Sequence, residues 1–432
     1  MASLSRASLR WPSKRWQISL ILAAGLVVVG SVVFARMLFI GDAMSPASEL
    51  PASDQQHRSN PTMPAGTVPE DESAEPTPTV TDTVGSRPTP NPKTVEAPAF
   101  VLGATVDSED SLVLYVAPDG SDEAPGTIEE PLRTLQRALD LAQPGTTIIL
   151  RGGVYALEET VLTRRDGSEE APITIRSMEG EVARLRGPEE DRGVQIEHDW
   201  YILEGLDLSG ADVLLRLEGA EHVLVTWSTF HNAGSECVRL ANQARYNTFS
   251  YNRVWNCGRE DFDLEAGHKN GEGIYIGTAP EQRDEIGGVP DSCTDNVIEH
   301  NVFYTNGSEA VDIKEDSERN VIRYNVGSGN RDPEGAVFSS RGDFNVFLYN
   351  EAFGSLGAGF RTGGDSVDGR IYGTNNVFRG NDSHHNQGYG YKFMVWPQDV
   401  DCSNTGYANA GQLFYIDDEQ AQIACSPGEH TP

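Results

Sequence analysis

The sequence predicts an all-β fold, a right-handed parallel β-helix with an N-terminal capping helix, preceded by a transmembrane helix and a disordered linker. Two observations predict the β-helix. An Asn-bounded hexapeptide recurs from residue 247 onward, at spacings that include 24 and 25 residues. Short alternating apolar segments recur at similar intervals upstream. A third observation predicts the leading segments, since an apolar run near the N-terminus is followed by a Pro-rich stretch.

The first segments of the 432-residue chain have the pattern of a membrane anchor. An apolar run of 18 residues extends from Ile18 to Ala35, close to the length that spans a bilayer. Basic residues precede it and predict that the N-terminus stays inside and the remainder lies outside the cell membrane. The alternative is a cleaved signal peptide, with processing after Ala35 and secretion of the rest. We therefore divide the chain into a cytoplasmic basic segment (1–16), a transmembrane signal-anchor (17–40), a linker (41–100) and the β-helix domain (101–432).

Composition separates the linker from the folded domain. Residues 41–100 contain 11 of the 24 prolines, with Ser and Thr among them, and such a stretch cannot bury a core. The net charge of the chain is −32, and residues 101–432 carry −31 of it. Nucleic-acid binding needs clustered Lys and Arg, so this acidity excludes a general nucleic-acid binder. We expect a monomer that meets the membrane through residues 17–40.

The repeat defines the coils of the predicted β-helix. The five hexapeptides are Asn247–Asn252, Asn296–Asn301, Asn320–Asn325, Asn345–Asn350 and Asn376–Asn381. The closing Asn residues are spaced by 49, 24, 25 and 31 positions, so the first interval holds two periods and the last an insertion. This period is too short for a propeller blade. We predict about nine to eleven coils of three short strands, with Val, Ile and Phe inside and Asn ladders at the corners.

The open end of a β-helix is an exposed sheet edge and needs a cap. The segment from Pro131 to Ala142 has apolar residues at helical spacing, and Pro144-Gly145 ends it before the strand Thr146–Leu150. We therefore predict a capping helix over residues 131–142.

Several motifs resemble those of known proteins. They are Leu114–Asp122, Pro125–Thr127, Pro131–Gln136, Arg151–Tyr155, Gly271–Gly277 and Val311–Glu315. Together they resemble the pectate-lyase-like superfamily of right-handed parallel β-helix proteins, many of which are secreted polysaccharide lyases. The resemblance covers residues 112–432 and favours a carbohydrate-active enzyme with a polysaccharide substrate.

Aligning the coils places a set of polar side chains on the outer face of one sheet, because the apolar residues beside them alternate inward. The set comprises Tyr275, Asp312, Lys314, Arg361 and Lys392. The chain contains five Lys residues, and the three in the folded domain, Lys269, Lys314 and Lys392, all fall at or near this sheet. A retained Lys314 beside Asp312 is therefore either an ordinary salt bridge or a general base whose neighbours set its pKa.

The reaction that needs these groups is β-elimination on a uronate polymer. A cation or an Arg neutralises the uronate carboxylate, a base removes the C5 proton and an acid protonates the leaving oxygen. The resemblance implies a Lys or Arg base paired with Ca²⁺ held by carboxylates. We assign Lys314 as the base and Arg341 or Arg361 as the group that binds the carboxylate or assists the leaving group. The predicted Ca²⁺ ligands are Glu309, Asp312 and Glu272.

Two alternatives remain open. A glycoside hydrolase would pair Asp312 with Asp343 or Glu309, because its two carboxylates must lie within several Å of each other. A non-catalytic carbohydrate-binding or surface-attachment module would stack sugar rings on aromatic side chains. The candidates for sugar binding are Tyr275, Tyr389, Tyr391 and Trp396, with Lys392 as a polar contact.

The five cysteines lie in the predicted exported domain, where disulfides are permitted. We pair Cys402 with Cys425 at the C-terminal end and Cys257 with Cys293 at the base of the 277–293 insertion. The spacing does not fix the connectivity, and one Cys remains free in this scheme.

Overall fold

A computed structural model describes residues 112–418, except 365, 367 and 368, together with residues 421 and 423. The predicted basic segment (1–16), transmembrane helix (17–40) and linker (41–100) lie outside the described residues, so these three assignments remain predictions. In the part of the chain that the structure describes, no helix has both the length and the apolar character needed to cross a bilayer.

The elements follow one another as short strands with a single α-helix among the described residues. The first part of the chain contains β1 (Val113–Val116), α1 (Leu135–Leu141), β2 (Thr147–Leu150), β3 (Gly153–Ala156), β4 (Val161–Leu162), β5 (Ile173–Ser177), β6 (Ala183–Arg186), β7 (Arg192–Ile196), β8 (Tyr201–Glu204), β9 (Leu206–Ser209), β10 (Val213–Glu218), β11 (Leu224–Thr226), β12 (Thr229–His231), β13 (Val238–Ala241), β14 (Thr248–Ser250), β15 (Arg253–Trp255), β16 (Phe262–Asp263) and β17 (His268–Lys269). The second part contains β18 (Ile274–Ile276), a 3₁₀ helix (Pro280–Ile286), β19 (Val297–Glu299), β20 (Val302–Tyr304), β21 (Val311–Ile313), β22 (Val321–Arg323), β23 (Val326–Ser328), β24 (Ala336–Ser340), β25 (Val346–Leu348), β26 (Glu351–Phe353), β27 (Ala358–Thr362), β28 (Val377–Arg379), β29 (Asp382–His384), β30 (Tyr391–Phe393), β31 (Asp399–Val400), β32 (Thr405–Tyr407) and β33 (Phe414–Ile416).

Three long parallel sheets run along the molecule, and successive coils give one strand to each. Sheet A has 11 strands in the order β1-β2-β5-β8-β11-β14-β19-β22-β25-β28-β31. Sheet B has 10 strands, β3-β6-β9-β12-β15-β20-β23-β26-β29-β32, and sheet C has 10, β4-β7-β10-β13-β18-β21-β24-β27-β30-β33. The strand numbers advance by three between most neighbours, as a coil of three strands requires; each sheet has one step of five, and sheet A begins with a step of one. The predicted parallel β-helix and its nine to eleven coils are confirmed.

The core fills the space between the sheets with the inward residue of each short strand. On sheet A, Phe347 and Phe378 stack at 4.9 Å between ring centroids and are fully buried. On sheet C, Phe360 stacks on Tyr391 at 4.9 Å. Because the side chains of a strand alternate between faces, each inward aromatic leaves its chain neighbours pointing outward. The interior therefore fixes which side chains sheet C presents to solvent.

Two ladders of buried Asn residues join the coils at the corners. In one of them, Asn301 accepts from both the backbone N–H and the side-chain Nδ2 of Asn252, at 2.9 and 3.0 Å. Its own Nδ2 donates to Asn325 Oδ1 at 3.0 Å and to the Phe249 carbonyl at 2.9 Å. The predicted corner ladder is confirmed, and it satisfies backbone groups that would otherwise be buried without partners.

We expect Asn301→Ala to lower the free energy of unfolding by about 3 kcal/mol, because buried donors and acceptors in two neighbouring coils lose their partner. Urea unfolding followed by circular dichroism measures this loss. The matched control is Gln412→Ala, since this exposed amide has no ladder contact and its removal should change stability by less than about 0.5 kcal/mol. Equal stabilities for the two variants would contradict the ladder's role.

The cap is a shorter helix than predicted. The helix α1 begins after Thr134, whose hydroxyl accepts the backbone N–H of Arg137 at 3.1 Å. Leu132 is not helical, because it forms a parallel bridge with Val116 and its backbone N–H donates to the Tyr115 carbonyl. The buried face of α1 consists of Leu135, Ala138 and Leu139, so the capping role itself is as predicted.

The disulfide predicted between Cys257 and Cys293 is wrong. Cys257 bonds to Cys237, and their Cα atoms lie 5.4 Å apart. Both residues occupy the corner between sheets B and C in neighbouring coils, whereas Cys293 precedes a strand of sheet A and is buried with a free thiol. Cys402 is disulfide-bonded, and its predicted partner Cys425 lies outside the described residues, so that pairing remains a prediction.

Candidate active site

The outer face of sheet C carries one continuous row of polar side chains. Strand pairing places Tyr275 beside Asp312, Asp312 beside Ser339, Ser339 beside Arg361 and Arg361 beside Lys392. The chain neighbours of Asp312, Val311 and Ile313, are buried in the core. The predicted outward row is confirmed for Tyr275, Asp312, Arg361 and Lys392, which form one line across five coils with Ser339. Lys314 lies outside this line, because it directly follows the strand that carries Asp312.

A cavity of about 260 Å³ opens over the middle of this row. Its lining includes every residue that the sequence assigned to catalysis or metal binding: Lys314, Arg341, Arg361, Glu272, Glu309 and Asp312. The 277–293 insertion walls one side through Glu281 and Gln282 of the 3₁₀ helix. Arg283 of the same helix pairs with Asp316, which ties this wall to the next coil. The strands thus supply the floor of the site, and the insertion supplies a wall.

Three buried carboxylates form the acidic part of the floor. One oxygen from each of Glu272, Glu309 and Asp312 lies within 4.8 Å of the others. Glu272 and Glu309 stand two residues before the paired residues Ile274 and Val311, so the register stacks them in adjacent coils. The Gly271 backbone N–H donates to Glu272 at 2.9 Å, which fixes the orientation of that carboxylate.

Lys314 lies among these acids. Its Nζ is 2.5 Å from Asp312 Oδ2 and 3.7 Å from Glu272 Oε1. It also lies 4.2 Å from the centroid of the Tyr275 ring. The side chain is only 9% exposed, so it is not the solvated surface salt bridge that the sequence left open. A buried ammonium with two carboxylates and one aromatic face is held in a single position.

Burial and charge shift the pKa values of this cluster in opposite directions. The pKa of Glu272 is raised to about 8, because burial and the neighbouring Glu236, Glu309 and Asp312 outweigh the opposing effect of Lys314. Burial also favours the protonated form of Asp312, but the Lys314 ammonium holds the pKa of Asp312 below its usual range. Burial alone would lower the pKa of Lys314, and the carboxylates outweigh it and raise that pKa. Lys314 is therefore an ammonium at neutral pH in the substrate-free protein.

The two predicted arginines lie in adjacent coils beyond the carboxylates, Arg341 directly after β24 and Arg361 on β27. Arg341 lies 3.5 Å from Glu315. Arg361 donates to Ser339 Oγ at 3.5 Å, and its Nε is buried without a hydrogen-bond partner. Among the described residues, no carboxylate forms an ion pair of 4 Å or less with Arg361. Arg361 is therefore better placed than Arg341 to bind an anionic ligand.

Tyr275 lines the cavity, but not as a sugar-stacking platform. The side chain is 1% exposed, and Arg239 lies 4.8 Å from the ring centroid that Lys314 also approaches. Its hydroxyl donates to Gln282 Oε1 at 2.7 Å. Burial raises the pKa of Tyr275 to about 12, so the hydroxyl keeps its proton at neutral pH. Its ring is covered, and only the hydroxyl end can serve the cavity.

The prediction that Tyr391 binds sugar is wrong, and Trp396 is also placed away from the cavity. Tyr391 points into the core, where its hydroxyl donates to the Asn381 carbonyl at 2.8 Å. The inward Tyr391 and Phe393 leave Lys392 between them on the outer face, as predicted. Trp396 packs edge-on against Phe393, with 6.3 Å between ring centroids. Strand alternation with Lys392 outward requires Tyr391 to face inward, so the two predictions could not both hold.

Asp343 is also unavailable as the second carboxylate of a hydrolase. It accepts the Thr374 backbone N–H at 2.7 Å and Arg370 at 2.8 Å, and it does not line the cavity. Its carboxylate holds the following loop instead. Of the two pairs considered from sequence, only Asp312 with Glu309 is brought together.

Sequence reasoning missed several residues of the site. Glu236 stands two residues before Val238, which pairs with Ile274, so it extends the Glu272–Glu309 column by one coil. The sequence feature that could have identified Glu236 is a small residue followed by Glu, which recurs just before the sheet C strands. Asp332 and Glu334 line the cavity and pair with Lys269 at 3.0 and 2.9 Å. The repeat did not identify these two residues, because they lie in the loop between β23 and β24.

The carboxylate cluster fits a divalent cation by its donor chemistry. Three oxygen ligands converge, and oxygen is the donor that Ca²⁺ prefers. Asp312 Oδ1 is buried without a hydrogen-bond partner, so one ligand atom faces the site unsatisfied. The Lys314 ammonium already neutralises part of the cluster, which limits the charge available to a metal. These residues can hold a cation, with Lys314 as its neighbour.

Comparisons with known proteins support the fold. Residues 114–274 match the family model described as the Pel9A-like right-handed β-helix region. Pectate lyase PEL9 of Emericella nidulans is 45% identical over 76 residues, which is 18% of each chain. Pectate lyase L of Dickeya chrysanthemi is 22% identical over 295 residues, covering 64% of this chain and 62% of the relative.

A solved structure has the same architecture. The alginate lyase of Paenibacillus sp. str. FPU-7 superposes with a TM-score of 0.56 at 24% identity, covering 66% of this chain and 96% of that one. The matches span less than two thirds of both curated relatives. Together with the three parallel sheets, they confirm a right-handed β-helix of the pectate-lyase-like kind, with polysaccharide lyases among its relatives.

Proposed function

We propose that the protein is a polysaccharide lyase that cleaves a uronate-containing glycan by β-elimination. One observation carries the proposal: Lys314 lies in a cavity between three carboxylates and the partly unpaired Arg361, on the outer face of sheet C. This arrangement places a proton acceptor, a cation site and an anion-binding group within one small space. Relatives named as pectate and alginate lyases act on polymers of this class.

The residues divide the reaction among them. Arg361 binds the uronate carboxylate and so favours loss of the neighbouring C5 proton. Neutral Lys314 takes that proton, and the electron pair left at C5 forms the C4=C5 double bond as the C4–O4 bond breaks. The departing oxygen gains a proton from Tyr275, whose hydroxyl keeps its own at neutral pH. Arg341 adds positive charge beside the leaving oxygen.

Ca²⁺ is the proposed cofactor, with Glu272, Glu309 and Asp312 as its ligands. When bound, this cation would neutralise the substrate carboxylate and lower the pKa of the neighbouring ammonium. Lys314 is protonated without it, because the same carboxylates raise its pKa. A cation held by those carboxylates would weaken their effect on Lys314, and Lys314 would then accept a proton more readily.

The site must also overcome the charge of the whole protein, which is −32. Such a surface repels an anionic polymer over a distance of about 8–10 Å at ordinary salt concentrations. The cations Lys269, Lys314, Arg341 and Arg361 lie in the cavity among its acids. Local positive charge, increased by a bound cation, is what would let a uronate approach.

We also propose that residues 17–40 anchor the protein in the cell membrane with the β-helix outside. The apolar run Ile18–Ala35 and the basic residues before it support this location. A lyase tethered there meets polymers outside the cell without being lost by diffusion. Fractionation with alkaline carbonate distinguishes an integral protein from a secreted one, and release of the full-length chain by carbonate would contradict the anchor.

A glycoside hydrolase is the second candidate, because Asp312 and Glu309 approach to within 4.8 Å. That is close to the separation of about 5–5.5 Å found for the two carboxylates of retaining glycosidases. The lowered pKa of Asp312 and the raised pKa of Glu309 would make Asp312 the nucleophile of such a pair. The Lys314 ammonium disfavours this role, because it is already bonded to Asp312 Oδ2.

The test is a screen of the protein against polygalacturonate, alginate and a neutral glucan. We expect an increase in ultraviolet absorbance with one of the two uronate polymers, because elimination leaves a double bond conjugated to the carboxylate. Exhaustive chelation should lower the rate at least tenfold, and added Ca²⁺ should restore it. Reducing ends without an increase in absorbance would favour the hydrolase, and undiminished activity after chelation would exclude the metal.

A further inference from the structure

The row of side chains on sheet C differs in charge on the two sides of the cavity. On the side toward the C-terminus it continues from Arg361 to Lys392 and then to Tyr415, by direct strand pairing. On the side toward the N-terminus it continues from Tyr275 to Arg239 and then to Arg216. Both sides carry basic residues, and their partners decide which of them can bind a ligand.

On the N-terminal side of the row, both basic side chains are paired with neighbouring carboxylates. Arg239 lies 3.4 Å from Glu236, and both side chains are at least 93% buried, being 7% and 3% exposed. Arg216 pairs with Glu218, and its side chain is 6% exposed. An anionic chain on this side would have to displace carboxylates that are already in place, so the N-terminal side offers it no binding group.

The basic residues on the C-terminal side of the row are Arg361 and Lys392. Among the described residues, no carboxylate forms an ion pair of 4 Å or less with either of them. Both are partly exposed, since their chain neighbours point into the core. Burial and the neighbouring Arg361 lower the pKa of Lys392 against the effect of Glu334 and Asp332, as expected for two cations on adjacent strands. A ligand with successive negative charges would relieve this repulsion.

The spacing of the two cations suits a polymer. Adjacent parallel strands lie about 4.8 Å apart, which is comparable to the length of one sugar residue in an extended 1,4-linked chain. Beyond Lys392, the Tyr415 ring packs beside Tyr389 with 4.7 Å between centroids. Its hydroxyl donates to Asp417, whose charge marks the end of the basic stretch. The row therefore offers two consecutive anion sites followed by an aromatic pair.

We propose that the glycan lies across the strands of sheet C and extends from the cavity only toward the C-terminus, with Arg361 and Lys392 binding the carboxylates of consecutive uronate residues. This inference rests on the proposed function and adds to it a direction and a chain-length requirement. Residues bound beyond the reacting one lie over Lys392 and Tyr415, and the opposite side of the cavity binds no charged residue.

The experiment compares the KM and kcat of the protein and its Lys392→Ala variant on uronate oligosaccharides of increasing length. We expect KM to rise about tenfold for oligomers long enough to reach Lys392, because a charge-assisted hydrogen bond is lost, and to stay unchanged for shorter ones. The kcat should not change. Lys392→Arg should restore the affinity, and Arg379→Ala, an exposed cation of sheet A paired with Asp399, should match the unmodified protein.

Calorimetry with the longest oligomers measures binding separately from cleavage. The two measurements together distinguish failure of this inference from failure of the proposed lyase function. Cleavage of uronates with the same length dependence in Lys392→Ala and in the unmodified protein overturns the inference and leaves the proposed lyase standing. An equal rise of KM at every length also overturns it, since Lys392 would then act on the cavity itself. If no uronate oligomer is bound or cleaved, both the inference and the proposed function are wrong.

Discussion

Lys314→Ala should lower the rate of β-elimination by about 10³-fold, the typical contribution of a general base. The side chain is the only lysine that touches the carboxylate cluster in the described part of the chain, with Nζ 2.5 Å from Asp312. No neighbouring group in the cavity can replace it, because the arginines keep their protons and Tyr275 has a raised pKa. Initial rates of unsaturated-product formation on the cleaved polymer measure the loss.

Two controls separate chemistry from folding in this experiment. Lys314→Met keeps the length of the side chain beneath the Tyr275 ring and should be as inactive as Lys314→Ala. It should still unfold in one cooperative transition, at a lower temperature because Asp312 loses its buried partner. Arg379→Ala removes an exposed cation from sheet A and should keep full activity. If either Lys314 variant turns over substrate at the unmodified rate, Lys314 is not the base.

Asp312→Ala should cost about 3–5 kcal/mol in the free energy of unfolding, the largest stability effect that we expect from one substitution in the cavity. The reason is the buried ammonium of Lys314, which would lose its nearest carboxylate and keep only Glu272 at 3.7 Å. Removing one partner of a buried pair leaves an uncompensated charge. Urea denaturation monitored by tryptophan fluorescence gives the difference.

An exposed pair provides the comparison. Asp399→Ala removes a carboxylate 2.6 Å from Arg379 that is 58% exposed, and it should cost less than about 1 kcal/mol. The double variant Asp312→Ala/Lys314→Met should recover much of the loss, because it removes the unpaired charge with its partner. A cost for Asp312→Ala as small as that for Asp399→Ala would show that Lys314 is not held as a buried charge.

The fold was predictable because a solenoid repeats its signal in every coil. The Asn hexapeptides mark the corners, and their spacing alone gives a coil of three short strands. The inward alternation then placed Tyr275, Asp312 and Lys392 on one face. An error of one residue in the alternation turns a side chain to the opposite face of the sheet. This is the case for Tyr391, which was predicted on the surface and lies in the core.

The site was predictable where it follows the repeat and not where it depends on loops. Glu272, Glu309 and Asp312 lie at or before sheet C strands, and strand pairing brings them together. Asp332 and Glu334 come from a loop whose path no period describes. The Cys257–Cys293 pairing failed for the same reason, since the corner that each Cys occupies depends on how the chain between them is folded.

The oxygen atoms of the product distinguish elimination from hydrolysis. The protein is incubated in ¹⁸O-labelled water with the uronate polymer that it cleaves, and the products are examined by mass spectrometry. Elimination breaks the C4–O4 bond without water. We therefore expect unsaturated products with no ¹⁸O incorporated by the cleavage. Saturated products with one ¹⁸O atom at each new reducing end would establish hydrolysis and would contradict the assignment of Lys314 as the base of a lyase.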